Sequence, residues 1–164
     1  MDLLDLDEFE ELSKEDRILA FFKSLLHEWK QELDCMTEPE KRTAKGKATV
    51  ATFNQCARYL DPLFEFCRKK LLPDDIGQAL LVIVERCMKR DYLAATDQYI
   101  RLAIGNAPWP MGVTMVGIHE RSAREKIFTR SVAHIMNDDE TARRYLQSIK
   151  RLMTFCELHY PALP

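Results

Sequence analysis

The stretch Val50 to Leu71, which reads VATFNQCARYLDPLFEFCRKKL, carries the clearest helical pattern in the chain. Its apolar side chains recur every three or four residues, at Val50, Phe53, Ala57, Leu60, Phe64, Cys67 and Leu71. This spacing places them on one face of an α-helix. Pro62 falls opposite that face, so we predict one long helix, kinked at Pro62. The alternative is that Asp61 and Pro62 restart a separate helix as cap and first residue.

Capping signals on both sides of this stretch predict four further helices. The five predicted helices begin, in chain order, at Ser13, Thr37, Pro73, Asp91 and Asn137. A capping side chain, or a proline that favours a first turn, stands at or beside each position. The first helix should end near Cys35, and Pro161 should close the last. We therefore predict an all-α fold, a single five-helix bundle over residues 13–164, preceded by an acidic N-terminal stub over residues 1–12.

The apolar positions of these helices also predict a core. It is expected to close around Ile18, Phe53, Phe64, Leu80, Val84, Ile149 and Leu152. The third helix should be the most buried, because its sequence from Ile76 to Met88 leaves little polar face.

One long segment, residues 105–128 with the sequence GNAPWPMGVTMVGIHERSAREKIF, cannot be helical throughout. Its helix-breaking residues are Gly105, Pro108, Pro110, Gly112 and Gly117. Glycine frees the backbone and proline removes an amide donor, so a helix must end at Gly105. Its large apolar side chains argue against a plain linker and either bind a partner or pack on the bundle. We predict a long functional loop over about residues 105–130 between the last two main helices, with a brief strand over 113–118 and a short helix over 124–136.

Charge is distributed unevenly along the chain. Residues 1–16 hold eight acids and Lys14, a net charge of −7, whereas the whole chain carries −2. The remainder is therefore mildly basic, although charge alone makes nucleic-acid contact only a minority interpretation. We find no secretory leader and no apolar run that would cross a bilayer, so we expect a protein of the cytoplasm or nucleus with no membrane association.

The residue types that carry catalysis or bind metals show no telling pattern. The five cysteines are odd in number and lack a CxxC pair, so we expect reduced, mostly buried thiols and neither a disulfide framework nor a zinc site. The four histidines have no second ligand at helical spacing. The Asp pairs at 74–75 and 138–139 stand where helix N-termini favour negative charge. We therefore predict no catalytic residue, no metal and no cofactor.

The run 99–128, YIRLAIGNAPWPMGVTMVGIHERSAREKIF, followed by VAHIMNDDE and YLQSIKRLMTFC, resembles the C-terminal domain of the pre-mRNA-splicing factor 18 family. Helical periodicity does not generate AIGNAPWP with GVTMVGIH, and weaker similarity extends back to about Leu12. Over His119 to Lys126 this chain reads HERSAREK where the family is expected to read approximately HARTGREK, which loses a glycine and adds an acid. Family members also carry an additional N-terminal half, so the chain is either an isolated domain or a naturally shortened member.

The resemblance implies a nuclear five-helix domain that acts in the second step of splicing, exon ligation, without chemistry of its own. Its helices would bind a zinc-knuckle second-step splicing factor, and its loop would enter the catalytic centre among the small nuclear ribonucleoproteins and stabilise exon positioning. The loop residues assigned to this contact are Asn106, Pro108, Trp109, Pro110, Met111, Gly112, Val113, Thr114, Gly117, His119, Arg121, Arg124 and Lys126. The candidate partner-binding residues, on outer positions of the first two helices, are Lys30, Asp34, Arg58, Phe66 and Lys69.

The target of the loop stays open between RNA and protein. Trp109 could stack on a base of the pre-mRNA exon or a small nuclear RNA, with Arg121, Arg124 and Lys126 on phosphates. Alternatively, the aromatic wedge around Trp109 could fill a protein groove, which would make the chain a protein-interaction module without RNA contact. Phe66 either packs under a loop or marks an interface. We expect a monomer, and an unrecognised helical enzyme is the remaining alternative.

Overall fold

The computed structural model describes residues 6–104 and 139–163, and for residues 139–142 the backbone alone. These residues form seven helices and no strand, which confirms the all-α prediction for the described part of the chain. The helices are α1 (Leu6–Glu10), α2 (Lys14–Asp34), α3 (Glu38–Arg42), α4 (Ala44–Arg68), α5 (Asp74–Met88), α6 (Tyr92–Ala103) and α7 (Asp139–His159). The predicted count of five is therefore too low. The predicted loop, its strand and its short helix lie outside the described residues, as do Asn137 and Asp138.

The predicted second helix is wrong in one respect, because it is two helices divided at Thr43. Thr37 and Glu40 form the expected capping box, but α3 ends after one turn. Thr43 is extended, donates its hydroxyl to the Glu40 carbonyl at 2.7 Å and accepts from the Gly46 amide at 2.9 Å as the cap of α4. A Cβ on Gly46 would lie 2.0 Å from the Glu40 carbonyl oxygen. The sharp turn therefore depends on a glycine where α4 passes under α3.

Helix α4 continues through Pro62, which is exposed, and the alternative of a helix restart there is wrong. The predicted inner face is largely confirmed: Phe53, Leu60, Phe64 and Cys67 are buried, whereas Val50, Ala57 and Leu71 are half-buried. Cys56 and Leu63 are buried as well, so the buried face is wider than the pattern indicates, because α4 packs on both α2 and α7.

The core forms where α2, α4, α5 and α7 meet. All seven residues predicted for the core are buried. Helix α5 is the most enclosed, with eight of its 15 residues buried. Ser13 caps α2 by accepting from the Asp16 amide at 3.2 Å, and α2 ends at Asp34 with Cys35 as its C-cap, which confirms the predicted end near Cys35.

Helix α1, which falls in the predicted acidic stub, was not anticipated as an ordered element. Its Phe9 is buried in the core cluster, and the Arg17 guanidinium donates to the carbonyls of Glu10 and Leu12 at the end of α1. The Arg17 guanidinium carbon also lies 6.0 Å from the centre of the Phe9 ring. One residue of α2 therefore fastens α1, and acidic composition alone does not reveal this packing.

Hydrogen bonds fix α7 against α4 and α6. The Cys56 thiol lies 3.6 Å from the Ser148 carbonyl, and the Tyr99 hydroxyl donates to the Leu146 carbonyl at 3.0 Å. The buried Tyr92 hydroxyl contacts the Cys156 carbonyl at 3.3 Å. These contacts hold one face of α7 inward and leave the opposite face in solvent. No helix within the described ranges has the length and apolar content to cross a bilayer.

Candidate interaction surfaces

All thirteen loop residues assigned from the sequence, from Asn106 to Lys126, lie outside the described residues. The structure describes the helices on either side. Helix α6 ends at Ala103, where Ile104 closes the last turn through the carbonyls of Ile100 and Leu102, and α7 begins at Asp139. The assigned contacts of this loop stay predictions.

The two candidate residues on α2 form one small charged site. Lys30 and Asp34 are both exposed, and the Lys30 amine lies 2.8 Å from the Asp34 carboxylate. The hydrogen bond from Lys30 holds the pKa of Asp34 below its usual value. The Asp34 carboxylate therefore stays charged at neutral pH, and a partner would meet an ion pair at this position rather than an isolated cation.

The three candidate residues on α4 differ in exposure. Arg58 and Lys69 are exposed, and Lys69 lies 3.9 Å from Glu65. Phe66 is half-buried and packs against the core cluster. Eight residues turn a helix about 80° beyond two full turns, so Arg58 and Phe66 point in different directions. In the described part of the chain, no hydrogen bond or ion pair joins Lys30 or Asp34 to Arg58, Phe66 or Lys69.

An open groove of about 560 Å³ lies beside the outer face of α7. A line of stacked rings runs along one wall: Trp29 stacks on Phe155 at 5.8 Å between centroids, and Phe155 stacks on His159 at 4.0 Å. Both nitrogens of His159 face acceptors, the Phe155 carbonyl at 2.9 Å and the Glu32 carboxylate at 2.6 Å. His159 thus ties α7 to α2 and is not positioned as a free general base.

The cysteines are free, and only Cys35 is exposed. Burial raises the pKa of Cys56 to about 11 and of Cys67 to about 12. A thiol contact with Cys156, together with burial, raises the pKa of Cys87, and the same contact lowers the pKa of Cys156. Buried thiols with raised pKa values are poor nucleophiles. Within residues 6–104 and 139–163, no three His, Cys, Asp or Glu side chains are grouped to hold a metal.

Sequence reasoning missed the outer face of α7, which carries four cations, two of which lie against tyrosines of neighbouring helices. The Arg144 guanidinium lies 4.8 Å from the centre of the Tyr59 ring, and the Lys150 amine lies 5.9 Å from the centre of the Tyr99 ring. The only signal in the sequence is the absence of acids between residues 141 and 156. The two tyrosines belong to other helices, so the sequence alone does not place them there.

Comparison with known proteins gives a consistent result. The sequence profile of the Prp18 domain matches residues 19–162. The chain is 50% identical over 149 residues to the Bos taurus protein named Pre-mRNA-splicing factor 18, a match that covers 91% of this chain and 43% of that protein. It is 36% identical over 148 residues to the protein of the same name from Schizosaccharomyces pombe, covering 90% of this chain and 43% of the relative.

A shorter match joins the chain to the Saccharomyces cerevisiae protein of that name, at 43% identity over 96 residues, which is 58% of this chain and 38% of the relative. The chain thus spans less than half the length of these relatives. No solved structure matches it. Because the profile covers nearly the whole described bundle and the matching relatives share up to half of the residues, the chain belongs to the Prp18 domain family.

Proposed function

We propose that this chain is a non-catalytic factor of pre-mRNA splicing that works in the nucleus at the second step, exon ligation. One observation carries the proposal: identity of 36% to 50% over at least 90% of the chain to relatives named Pre-mRNA-splicing factor 18. The buried Cys56 and Cys67 thiols, whose pKa values are raised, and the engaged His159 are in keeping with a docking role, because none of them supplies a reactive group.

The helical body is the docking element in this proposal. The outer positions of α2 and α4 are exposed and charged, as in the Lys30–Asp34 pair and at Arg58 and Lys69. A polar, charged surface suits a partner that binds reversibly, because the rims of such interfaces are polar and their charges steer association. The partner proposed here is a zinc-knuckle second-step splicing factor. Phe66 is less suited to this role than Arg58, because it packs inward.

In this proposal, the segment between α6 and α7 makes the contact that acts in exon ligation. Both flanking helices pack on the core, through Leu102 on α6 and Tyr145 on α7. We assign to the segment the stabilisation of exon position, with Trp109 stacking on a base and Arg121, Arg124 and Lys126 on phosphates.

Deletion of residues 107–126, bridged with glycines, tests the proposal in a splicing extract depleted of the endogenous factor. The free-energy cost of closing a loop changes by only about 0.6 kcal/mol for each doubling of loop length. Shortening this segment should therefore leave the helicity and melting temperature of the bundle unchanged. The first cleavage should proceed while exon ligation falls. A folded deletion variant that restores exon ligation as well as the intact chain does would refute the role of this segment.

A photo-reactive group at Trp109 separates the two possible targets. Crosslinks to exon or small nuclear RNA in assembled spliceosomes would support base contact. Crosslinks to protein alone would refute the RNA contact. The chain would then be a protein-interaction module of the spliceosome.

A further inference from the structure

The outer face of α7 is rich in positive charge between Ala142 and Glu157. Residues 141–156 contain Arg143, Arg144, Lys150 and Arg151 and no acid. Arg143, Lys150 and Arg151 are exposed, and Arg144 is half-buried. Eight residues of helix separate Arg143 from Arg151, a distance of about 12 Å along the axis. We call these four cations the α7 ridge.

Two tyrosines from neighbouring helices hold members of the ridge in place. Tyr59 of α4 lies under the Arg144 guanidinium at 4.8 Å, and Gln55 donates to its hydroxyl at 3.1 Å. Tyr99 of α6 lies beside the Lys150 amine at 5.9 Å, and its hydroxyl is fixed by a carbonyl of α7. Cations over ring faces are attracted by the ring quadrupole. The ridge is therefore partly ordered before any ligand binds.

Asp139 and Glu140 precede Arg143 and Arg144 by about one turn of α7, whereas no acid of α7 lies within one helical turn of Lys150 or Arg151. Residues 44–60 of α4 contain no acid, and the Arg58 guanidinium carbon lies 5.8 Å from the Tyr59 ring, which adds a cation at the border. Glu32 across the groove is engaged by His159, and Asp97 on α6 is paired with Arg101 at 3.2 Å. Glu157 lies beyond the last ridge cation by more than one helical turn.

The composition of the exposed face favours a polyanion over a folded protein. Apart from the cations, the exposed positions of α7 from residue 143 to 157 are Gln147, Thr154 and Glu157, and the first exposed large apolar side chain is Leu158. Protein interfaces centre on aromatic or apolar anchors, whereas nucleic-acid interfaces are more polar and much more positive. The Tyr59 and Tyr99 rings already carry cations, so they order the ridge and leave base stacking a minor contribution.

We infer that the α7 ridge binds the phosphate backbone of single-stranded RNA, independently of base sequence. This inference concerns the helical body and goes beyond the loop contact proposed above. Each cation that meets a phosphate releases about 0.7 counterion from a single strand, so binding should weaken steeply with salt.

Fluorescence anisotropy with a labelled 12-nucleotide oligouridylate, titrated between 50 and 200 mM salt, tests the inference. The ridge variant is Arg143→Gln/Lys150→Gln/Arg151→Gln. Its matched control is Arg42→Gln/Lys45→Gln/Lys47→Gln, which removes the same charge from exposed positions at α3 and the start of α4. Both sets are measured in the intact chain and in a background with Arg121, Arg124 and Lys126 changed to Gln, which separates the ridge from the loop.

The ridge variant should lose at least about 10-fold in affinity at the lowest salt, with a log–log salt slope shallower by about 2, and the control should lose less than about 2-fold. The difference should persist in the loop background. Far-UV circular dichroism checks folding, and if the triple variant is unfolded, Lys150→Gln and Arg151→Gln singly should each flatten the slope by about 0.7.

Equal losses in ridge variant and control would overturn the inference, because only net charge would then matter. Binding of polyglutamate but not of oligouridylate would overturn it too, and would assign the ridge to an acidic protein segment. A ridge effect that disappears in the loop background would place the RNA contact in the loop alone. A ridge effect that persists while the loop deletion leaves exon ligation intact would support the ridge and refute the loop.

Discussion

Two buried helical glycines should respond to the same substitution with opposite signs. A Cβ on Gly46 would lie 2.0 Å from the Glu40 carbonyl oxygen and 3.0 Å from its carbonyl carbon, both backbone atoms. The atoms nearest to a Cβ on Gly77 would be the Lys14 Cε at 3.2 Å, the Lys14 Nζ at 3.5 Å and a Leu72 methyl at 3.6 Å, all at the ends of flexible side chains. Space, rather than helix propensity, should decide between them.

The magnitudes follow from opposing contributions. Replacing glycine by alanine inside a helix gains about 1 kcal/mol in either position. At Gly46 the overlap requires the backbone to move, and overpacking of this kind destabilises by about 1 to 3 kcal/mol. Loss of the Thr43 cap would destabilise by about 1 kcal/mol more. Because α3 buries no residue, it can shift away, which limits the damage. We expect Gly46→Ala to destabilise by about 1 to 2 kcal/mol, from these same contributions.

At Gly77 the only loss is a rearranged Lys14, whose ion pair with Asp74 at 3.6 Å is exposed on the Asp74 side. Such pairs contribute less than about 1 kcal/mol, so Gly77→Ala should stabilise by about 0.5 kcal/mol. Urea denaturation followed by circular dichroism at 222 nm gives both values, with unchanged m-values because the exposed area is unaltered. A Gly46→Ala chain as stable as the parent, or a Gly77→Ala chain destabilised as much as Gly46→Ala, would refute the reasoning.

Three further outcomes are expected. Leu60→Ala should lower the free energy of unfolding by about 2 to 5 kcal/mol, because buried area is lost and a cavity remains. Leu93→Ala, at a side chain 85% exposed, should change it by under about 0.5 kcal/mol. Equal effects of the two substitutions in chemical denaturation would contradict the assigned helix faces. In a thiol titration at pH 8, Cys35 alone should react quickly in the folded protein and all five cysteines after denaturation; several fast thiols would contradict the burial of the other four. The Lys70 amine, 2.6 Å from Asp16, lowers the pKa of that carboxyl, so its contribution to stability is present above the unfolded pKa and is lost as pH falls through the folded one. Asp16→Asn should therefore destabilise by less than about 1 kcal/mol at pH 6. The difference from the parent chain should shrink as pH falls below 3.8 and vanish once it is below the lowered pKa of Asp16; a difference that grows on acidification would contradict the pairing.

Several features of the fold could be predicted from the sequence because they depend on neighbours within one helical turn. The caps at Ser13, Thr37 and Asp91 accept first-turn amides as expected. The periodic apolar positions identified the core for the same reason, since helical spacing fixes which side chains share a face. Thr43 is also a typical helix cap, with Gly46 three residues later. The continuous apolar face of α4 nevertheless favoured a single helix, so the break between α3 and α4 was not predicted.

For the interaction surfaces too, the sequence indicated what depends on consecutive residues and misjudged what depends on packing between helices. The resemblance around residues 105–128 led to the family that the comparisons show, because this unusual motif consists of consecutive residues and can be recognised without a structure. Phe66 was placed outward from its position in the helix, yet it packs against the core, and Phe9 was assigned to a stub, yet it is buried.

What the sequence determined by itself is therefore the all-helical class, most helix boundaries, the core and the family. Only the tertiary structure brought Arg144 over Tyr59 and Lys150 beside Tyr99, because these partners lie 85 and 51 residues apart and meet only when α4, α6 and α7 pack together. Local propensity acts over a few residues, whereas a surface is assembled by packing between distant helices, and its charge pattern becomes visible only after the chain has folded.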